Sequence, residues 1–298
     1  MNMTLATGLC TLVATVAISG GLSCACFAAP VRSGTPSSKA CSRVFTVAAS
    51  SIGRSMMVSS TGAVSGVVRD FLDLVSQRSG CVFNYVIVPR SRAFVMLETG
   101  TVDIVPSVNR TEQRDHFGKF FHLYDNRPML ISLKGRLPSM LGLAQLINGP
   151  TTIGIVRGYD YGPAYTALLS DPHMRRRVTV VRGPNMGARM LAAGRMDAVL
   201  MAPSAFVDAA EQAGIVDKIL VIPVEGLPFA SAGMYLVQRD QDVTDLAKVQ
   251  AAINFLVDRG EYSRLLAKYY AKPRWALGNL KSTPSVTLYG PQTPPLTH

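Results

Sequence analysis

The side chains that could do chemistry are few and dispersed along the 298 residues. Histidines stand at 116, 122, 173 and 298, none at a spacing that would converge on a metal ion. No Gly-x-Ser-x-Gly elbow raises a serine as a nucleophile, and no Gly-x-x-x-x-Gly-Lys loop could cradle a phosphate. The expectation is a chain without metal, cofactor or enzymatic activity. Recognition chemistry is what remains. Thirty Lys and Arg against 19 Asp and Glu leave a net charge of +11, which suits an anionic ligand or an anionic membrane surface. The excess is spread along the chain, and its one run, Arg175-Arg176-Arg177, follows Asp171-Pro172 and reads as a solvated helix-to-strand turn, so nucleic-acid binding is not expected. Outside the first 29 residues there are two cysteines, Cys41 and Cys81.

The elements that must position these residues alternate between strand and helix. Residues 44–49 read as a strand. Residues 67–75 carry Val67, Val68, Phe71, Leu72, Leu74 and Val75 as an apolar stripe with Arg69, Asp70 and Asp73 opposite, a helix ended by Gly80. A strand over 82–88 closed by Pro89, a helix over 92–99 closed by Gly100, and a strand over 102–105 complete a βαβαβ unit with a parallel sheet. A second alternating set runs from 152 to 201 after Pro150. Apolar strands over 129–133 and 233–237 flank it, where the chain would cross between two lobes and return, and amphipathic helices over 246–257 and 261–270 follow. Residues 273–298, rich in Pro, Ser and Thr with no acid, read as an irregular tail. Cys41 and Cys81 lie just before the first and second strands, whose starts are adjacent in a right-handed βαβ unit. A disulfide worth about 2 to 4 kcal/mol is expected, the other reading being two small buried thiols.

At 48% apolar and 16% charged the composition is globular, and the length suits two lobes. The first 29 residues hold no Lys, Arg, Asp, Glu or His, with an apolar stretch over 12–18 and small residues before Ala28. This reads as a secretory leader over 1–28, with cleavage after Ala28 and delivery of the chain to the periplasm expected; an uncleaved anchor is the alternative, since the uncharged run is long enough to span a bilayer.

Several segments together resemble the type II periplasmic solute-binding proteins, in particular family 3, the polar amino-acid group. They are Gly62 through Phe71, then Arg92-Ala93, Leu97-Glu98-Thr99-Gly100, Asp103 and Arg110-Thr111-Glu112-Gln113-Arg114. Phe120-Phe121, Tyr124, Gly154-Ile155-Val156-Arg157-Gly158, Ala193-Gly194-Arg195-Met196-Asp197-Ala198 and Asp258-Arg259-Gly260-Glu261-Tyr262 continue the match. The resemblance implies an α/β, two-lobed fold, each lobe a mainly parallel sheet flanked by helices, joined by two crossing strands and closing over a ligand. Lobe I would comprise 40–127 and 226–272, and lobe II 128–225. It implies a monomer that binds a small molecule and docks on an ABC permease, with a stand-alone sensor docking on a membrane signalling protein as the alternative. A dehydratase-like enzyme using Asp160 is a remoter alternative.

By register, Arg114 matches the family's ligand arginine, whose paired donors fit a carboxylate; the other reading is a turn arginine paired with Glu112 or Asp115. Ser107 and Asn109 follow the third strand, where hydroxyl and amide would meet the ligand, and Arg92 is a further candidate. Tyr159 and Asp160 sit in the loop before a helix, Asp160 being equally a helix cap. Asp103 and Asp197 read as residues that tie down loops. Two departures bear on the ligand. Counted from Asp197, the position of the family's ammonium-binding aspartate is Ala202, and Ser50-Ser51-Ile52-Gly53 has no aromatic shelf, for which Met56 and Met57 could substitute. A carboxylate or other small anion therefore fits as well as an amino acid, the alternative being that Asp160 replaces the lost charge from another direction and restores the amino-acid reading.

Overall fold

The structure is a computed structural model that describes residues 40–237, 243–278 and 280–282. The expected leader over 1–28 and the last residues of the tail lie outside them.

The first sheet grows from the Val44–Ala49 strand. Its side chains alternate: Phe45, Val47 and Ala49 enter one core, while Ala48 faces the other. Val82–Ile87 pairs parallel on one side, in register from Val44 opposite Val82 to Ala49 opposite Ile87, and Ile104–Asn109 pairs parallel on the other. Beyond it come Ala230–Leu236, Lys119–Asn126 and Leu280–Ser282, each antiparallel to its neighbour. Four of the six strands thus point the same way. The Val67–Ser79 helix buries its expected stripe and ends at Gly80 in the left-handed conformation (φ 73°). It shares its core with Val243–Asp258 and Glu261–Tyr269. Arg90–Glu98 covers the opposite face through Ala93 and Leu97.

The parallel register sets Cys41 beside Cys81, and the two form the expected disulfide with a Cα–Cα distance of 4.8 Å. Nearby, the buried Asp245 carboxylate accepts from the backbone N–H (2.6 Å) and hydroxyl (2.7 Å) of Ser42 and from Lys248 (3.0 Å). These hydrogen bonds hold its pKa at about 2. A carboxyl depressed below its unfolded value of about 3.9 contributes stability that is fully present above that value and is lost as pH falls toward the folded one. The stability gap between the wild type and Asp245→Asn should therefore shrink between about pH 4 and about pH 2. Urea midpoints at a series of pH values test this; a gap constant down to pH 2.5 would contradict it.

The second sheet runs in the order Val178–Val181, Ile153–Val156, Ala198–Met201, Met129–Leu133, Ile219–Ile222. The first three strands are parallel, Met129–Leu133 opposes them, and Ile219–Ile222 turns back again. Pro163–Ser170, Pro184–Ala192 and Val207–Gln212 pack around it. The two sheets use the same device at corresponding places. Asp103 accepts from the N–H and hydroxyl of Thr46 (2.7 Å each), and Asp197 from those of Thr152 (2.8 and 2.7 Å), pinning one strand start to the next. The chain passes between sheets at 127–128 and 223–229, so Met129–Leu133 and Ala230–Leu236 are strands of the sheets themselves, next to the crossings.

Two expectations are corrected. Arg175 and Arg176 are exposed, but Arg177 is not a solvated turn residue. Its guanidinium donates to the carbonyls of Leu146 (3.1 Å), Ile147 (2.5 Å) and Thr151 (2.8 Å), satisfying the end of the Leu143–Asn148 helix. The tail is also structured further than its composition suggests. Arg274–Leu277 forms a 3-10 turn that buries Ala276 and Leu277, and Leu280–Ser282 adds an edge strand to the first sheet. Those apolar residues anchor this stretch in the core by removing their surface from water.

Candidate functional site

The carboxyl ends of the parallel strands in both sheets face one another, and the loops leaving them enclose a cavity of about 60 Å³. From the first sheet come Ile52 and Ser55 after Val44–Ala49, Arg90 and Phe94 after Val82–Ile87, and Ser107 and Asn109 at the end of Ile104–Asn109. Arg114 follows, with Tyr124 and Asn126 from Lys119–Asn126. The second sheet supplies Gly158 to Tyr161, Ala202, Ser204 and Ala205.

Ser107 holds φ at +54°, the only non-glycine residue in the positive range among those described. It is the extra residue of a bulge opposite Gly233 and Met234, and the bulge re-aims its hydroxyl, which bonds Ser55 Oγ at 2.6 Å. Two arginines brace the same strand end. Arg90 donates to the carbonyls of Pro106 (2.9 Å) and Ser107 (2.5 Å), and Arg114 to that of Asn109 (2.8 Å). Both guanidinium groups lie against the ring of Phe94, 4.8 Å and 4.1 Å from its centroid. Neither has a carboxylate partner among the described residues. Asp115, one candidate partner of Arg114, is taken by Arg110 and by the Tyr235 hydroxyl. Burial pulls the Arg90 pKa down to about 10, opposed by the Tyr159 phenol and reinforced by Arg114. Burial also lowers that of Arg114, against the attraction of Asp160. Both remain cations at neutral pH.

Asp160 is the one acid lining the cavity. Its Oδ1 accepts from the N–H of Gly162 at 2.8 Å, which shapes the loop into the Pro163–Ser170 helix, and its carbonyl accepts from Asn109 Nδ2 at 2.5 Å across the cleft. Tyr159 lines the cavity with its phenol pushed above the usual pKa by burial. Tyr161 accepts from the N–H of Ala202 at 2.8 Å and so fixes that wall, where the counted position bears only a methyl group.

Of the residues singled out from sequence, Ser107, Asn109, Arg114, Tyr159 and Asp160 converge on this cavity. Arg92 does not: it is exposed, and Arg90 stands in the cavity instead. Pro89 as N-cap starts the helix at Arg90, so Arg90 and Phe94 are one turn apart on the cleft side and Arg92 points away. Met56, offered as an apolar surface, is buried in the core under the first sheet, and Ile52 with Phe94 and the tyrosines line the cavity in its place. Asn126 was not anticipated; it is buried, and its Oδ1 has no hydrogen-bond partner. Nor was Arg54. Its guanidinium reaches Asp208 (3.0 Å) and Glu211 (2.6 Å) of Val207–Gln212 and the carbonyls of Tyr269 and Lys272.

Residues 46–272 match the sequence profile of the Bacterial extracellular solute-binding proteins, family 3. No curated protein matches the chain. Among solved structures it is similar to an ancestral arginine-binding protein bound to arginine (17% identity, 76% of this chain and 98% of that one, TM-score 0.61). It is also similar to a histidine kinase sensor domain with similarity to periplasmic binding proteins (17%, 76% and 96%, TM-score 0.62). A third is a substrate-binding protein of an ABC uptake transporter from Streptococcus pneumoniae with bound histidine (18%, 77% and 93%, TM-score 0.61). At these identities the likeness is one of fold, that of a two-lobed periplasmic binding protein, with two mainly parallel sheets flanked by helices.

Proposed function

The chain belongs to the bacterial extracellular solute-binding proteins of family 3, and on that basis we propose that it captures a small carboxylate-bearing, amino-acid-like solute and delivers it to the permease of an ABC importer. Lobe I comprises 40–127 and 226–272, lobe II 128–225, and the exported monomer works in the periplasm after losing its leader over 1–28. The observation that carries this reading is Arg114: a cation in a sheltered cleft, stacked on Phe94 and lacking a carboxylate partner. An anionic ligand group relieves the desolvation of such a charge, and the fork geometry orients it. Ser107 and Asn109 add polar groups beside it, and Tyr159 an aromatic face. Solute-binding relatives with bound arginine and histidine support the amino-acid class.

A thermal-shift panel of amino acids, di- and tricarboxylates, polyamines and small anions, with calorimetry on hits, tests the reading, since a ligand of the native state raises its stability. A micromolar carboxylate hit is expected; stabilisation only by polyamines would sink it. The sensor-domain neighbour favours a second reading, in which the loaded protein docks on a membrane signalling protein. Pull-down of the loaded protein with permease or with sensor partners separates the two.

Closure of the lobes over the solute makes Arg54 a latch, since it joins the turn after the first strand to Asp208 and Glu211. Arg54→Ala should weaken solute binding by about 1 kcal/mol, roughly fivefold, because a partly exposed pair of this kind is worth that much to the closed state. Unchanged affinity together with an unchanged solution radius would remove Arg54 from the closing mechanism.

A further inference from the structure

Capture of one carboxylate leaves half of the cavity's chemistry unused. Arg114 accounts for a single carboxylate. Arg90 is a second cation lining the cavity against the same Phe94 ring, and it has no carboxylate partner among the described residues. Its two contacts with the carbonyls of Pro106 and Ser107 use two of five guanidinium N–H donors, so three remain. Two features call for a donor instead. Asp160 is the one lining acid and spends Oδ1 on the Gly162 N–H, and the buried Asn126 presents an Oδ1 without a hydrogen-bond partner. A neutral zwitterion would leave one cation of the cavity uncompensated; a diacid without an amine would leave Asn126 Oδ1 without a donor and face Asp160 with like charge.

We infer that the solute is an acidic α-amino acid, its two carboxylates shared between Arg114 and Arg90 and its ammonium held by Asp160 and Asn126. This rests on the solute-capture reading above. Two cations and one anion of the cavity meet two anions and one cation of the ligand, so all charges are paired when the cleft is filled. Ala202 then needs no acidic replacement, because the ammonium is met from the Asp160 loop and the end of Lys119–Asn126 instead.

The test is calorimetric titration of the purified protein, freed of carried-over ligand, with L-glutamate, L-aspartate, L-glutamine, L-asparagine, L-arginine, glutarate and succinate. Glutamate or aspartate should bind at least tenfold more tightly than its own amide, than arginine and than the matching amine-free diacid. In Arg90→Gln the preference for acid over amide should fall at least tenfold. A preference below tenfold in the wild type overturns the inference. Because Arg90 also braces the Ser107 strand end, Arg90→Gln could fail to fold; the wild-type panel decides without it, and Arg90→Lys keeps the charge and should retain the preference. A neutral or basic amino acid bound as tightly as the acids sinks this assignment and leaves solute capture standing. No binding by any amino acid or carboxylate sinks both.

Discussion

Arg114→Ala should abolish high-affinity capture of the carboxylate solute. Removing one partner of a sheltered charge-assisted pair typically costs about 2 to 5 kcal/mol, which is roughly thirtyfold to several thousandfold in Kd. The ligand-free protein should lose little, because in its absence Arg114 bonds only the Asn109 carbonyl and carries the cost of partial burial. The expected signature is a normal unfolding midpoint without ligand, coupled with loss of the ligand-induced thermal shift. Arg114→Lys should fall between, since an ammonium keeps the charge and loses the planar fork. If Arg114→Ala binds the solute as tightly as the wild type, the carboxylate clamp is elsewhere.

Gly233→Ala should be the most damaging small substitution in the fold. Gly233 lies where the Ala230–Leu236 strand shifts register against both of its neighbours, and an added Cβ would stand 1.8 Å from the carbonyl oxygen of Phe121. That neighbour is backbone and has no rotamer by which to move away, so the methyl group must part Ala230–Leu236 from Lys119–Asn126. A loss on the order of 3 kcal/mol or more is expected, at the top of the range for overpacking. Tyr124 and Asn126 sit at the end of the displaced strand, and the bulge at Ser107 is built against Gly233, so ligand binding should fail along with stability. Gly183→Ala is the control: an added methyl there meets no atom within 4 Å. A denaturant midpoint equal for Gly233→Ala and wild type would show that the strands can separate freely at this point.

Much of the local structure was legible. The stripe of Val67, Val68, Phe71, Leu72 and Val75 is a helical period written in neighbouring residues, and Gly80 ends it as a left-handed cap. The disulfide followed from two adjacent parallel strand starts. Ser107, Asn109, Arg114, Tyr159 and Asp160 were recoverable because strand ends in this architecture face the cleft. Arg92 was singled out by the Arg-Ala match of the family register, which does not say which helix face meets the cleft. At 3.6 residues per turn a residue two positions from Arg90 stands on the opposite face. Pro89, and the Arg90 and Phe94 pair four residues apart, were the signals that could have corrected it.

The periodicities, the cysteine pair and the family register were determined by the sequence alone, since each depends on residues close in the chain or on an ordered set of motifs. The order of the first sheet beyond Ile104–Asn109, the Arg54 contact across 154 residues, the open Oδ1 of Asn126 and the meeting of two arginines on one phenylalanine were decided by the tertiary structure. The physical reason is range. Backbone periodicity and capping act within a turn or a strand, whereas the partner of a buried charge is set by the path of the whole chain, and a guanidinium paired with carboxylates differs from one left open for a ligand only in what the fold brings within about 4 Å of it.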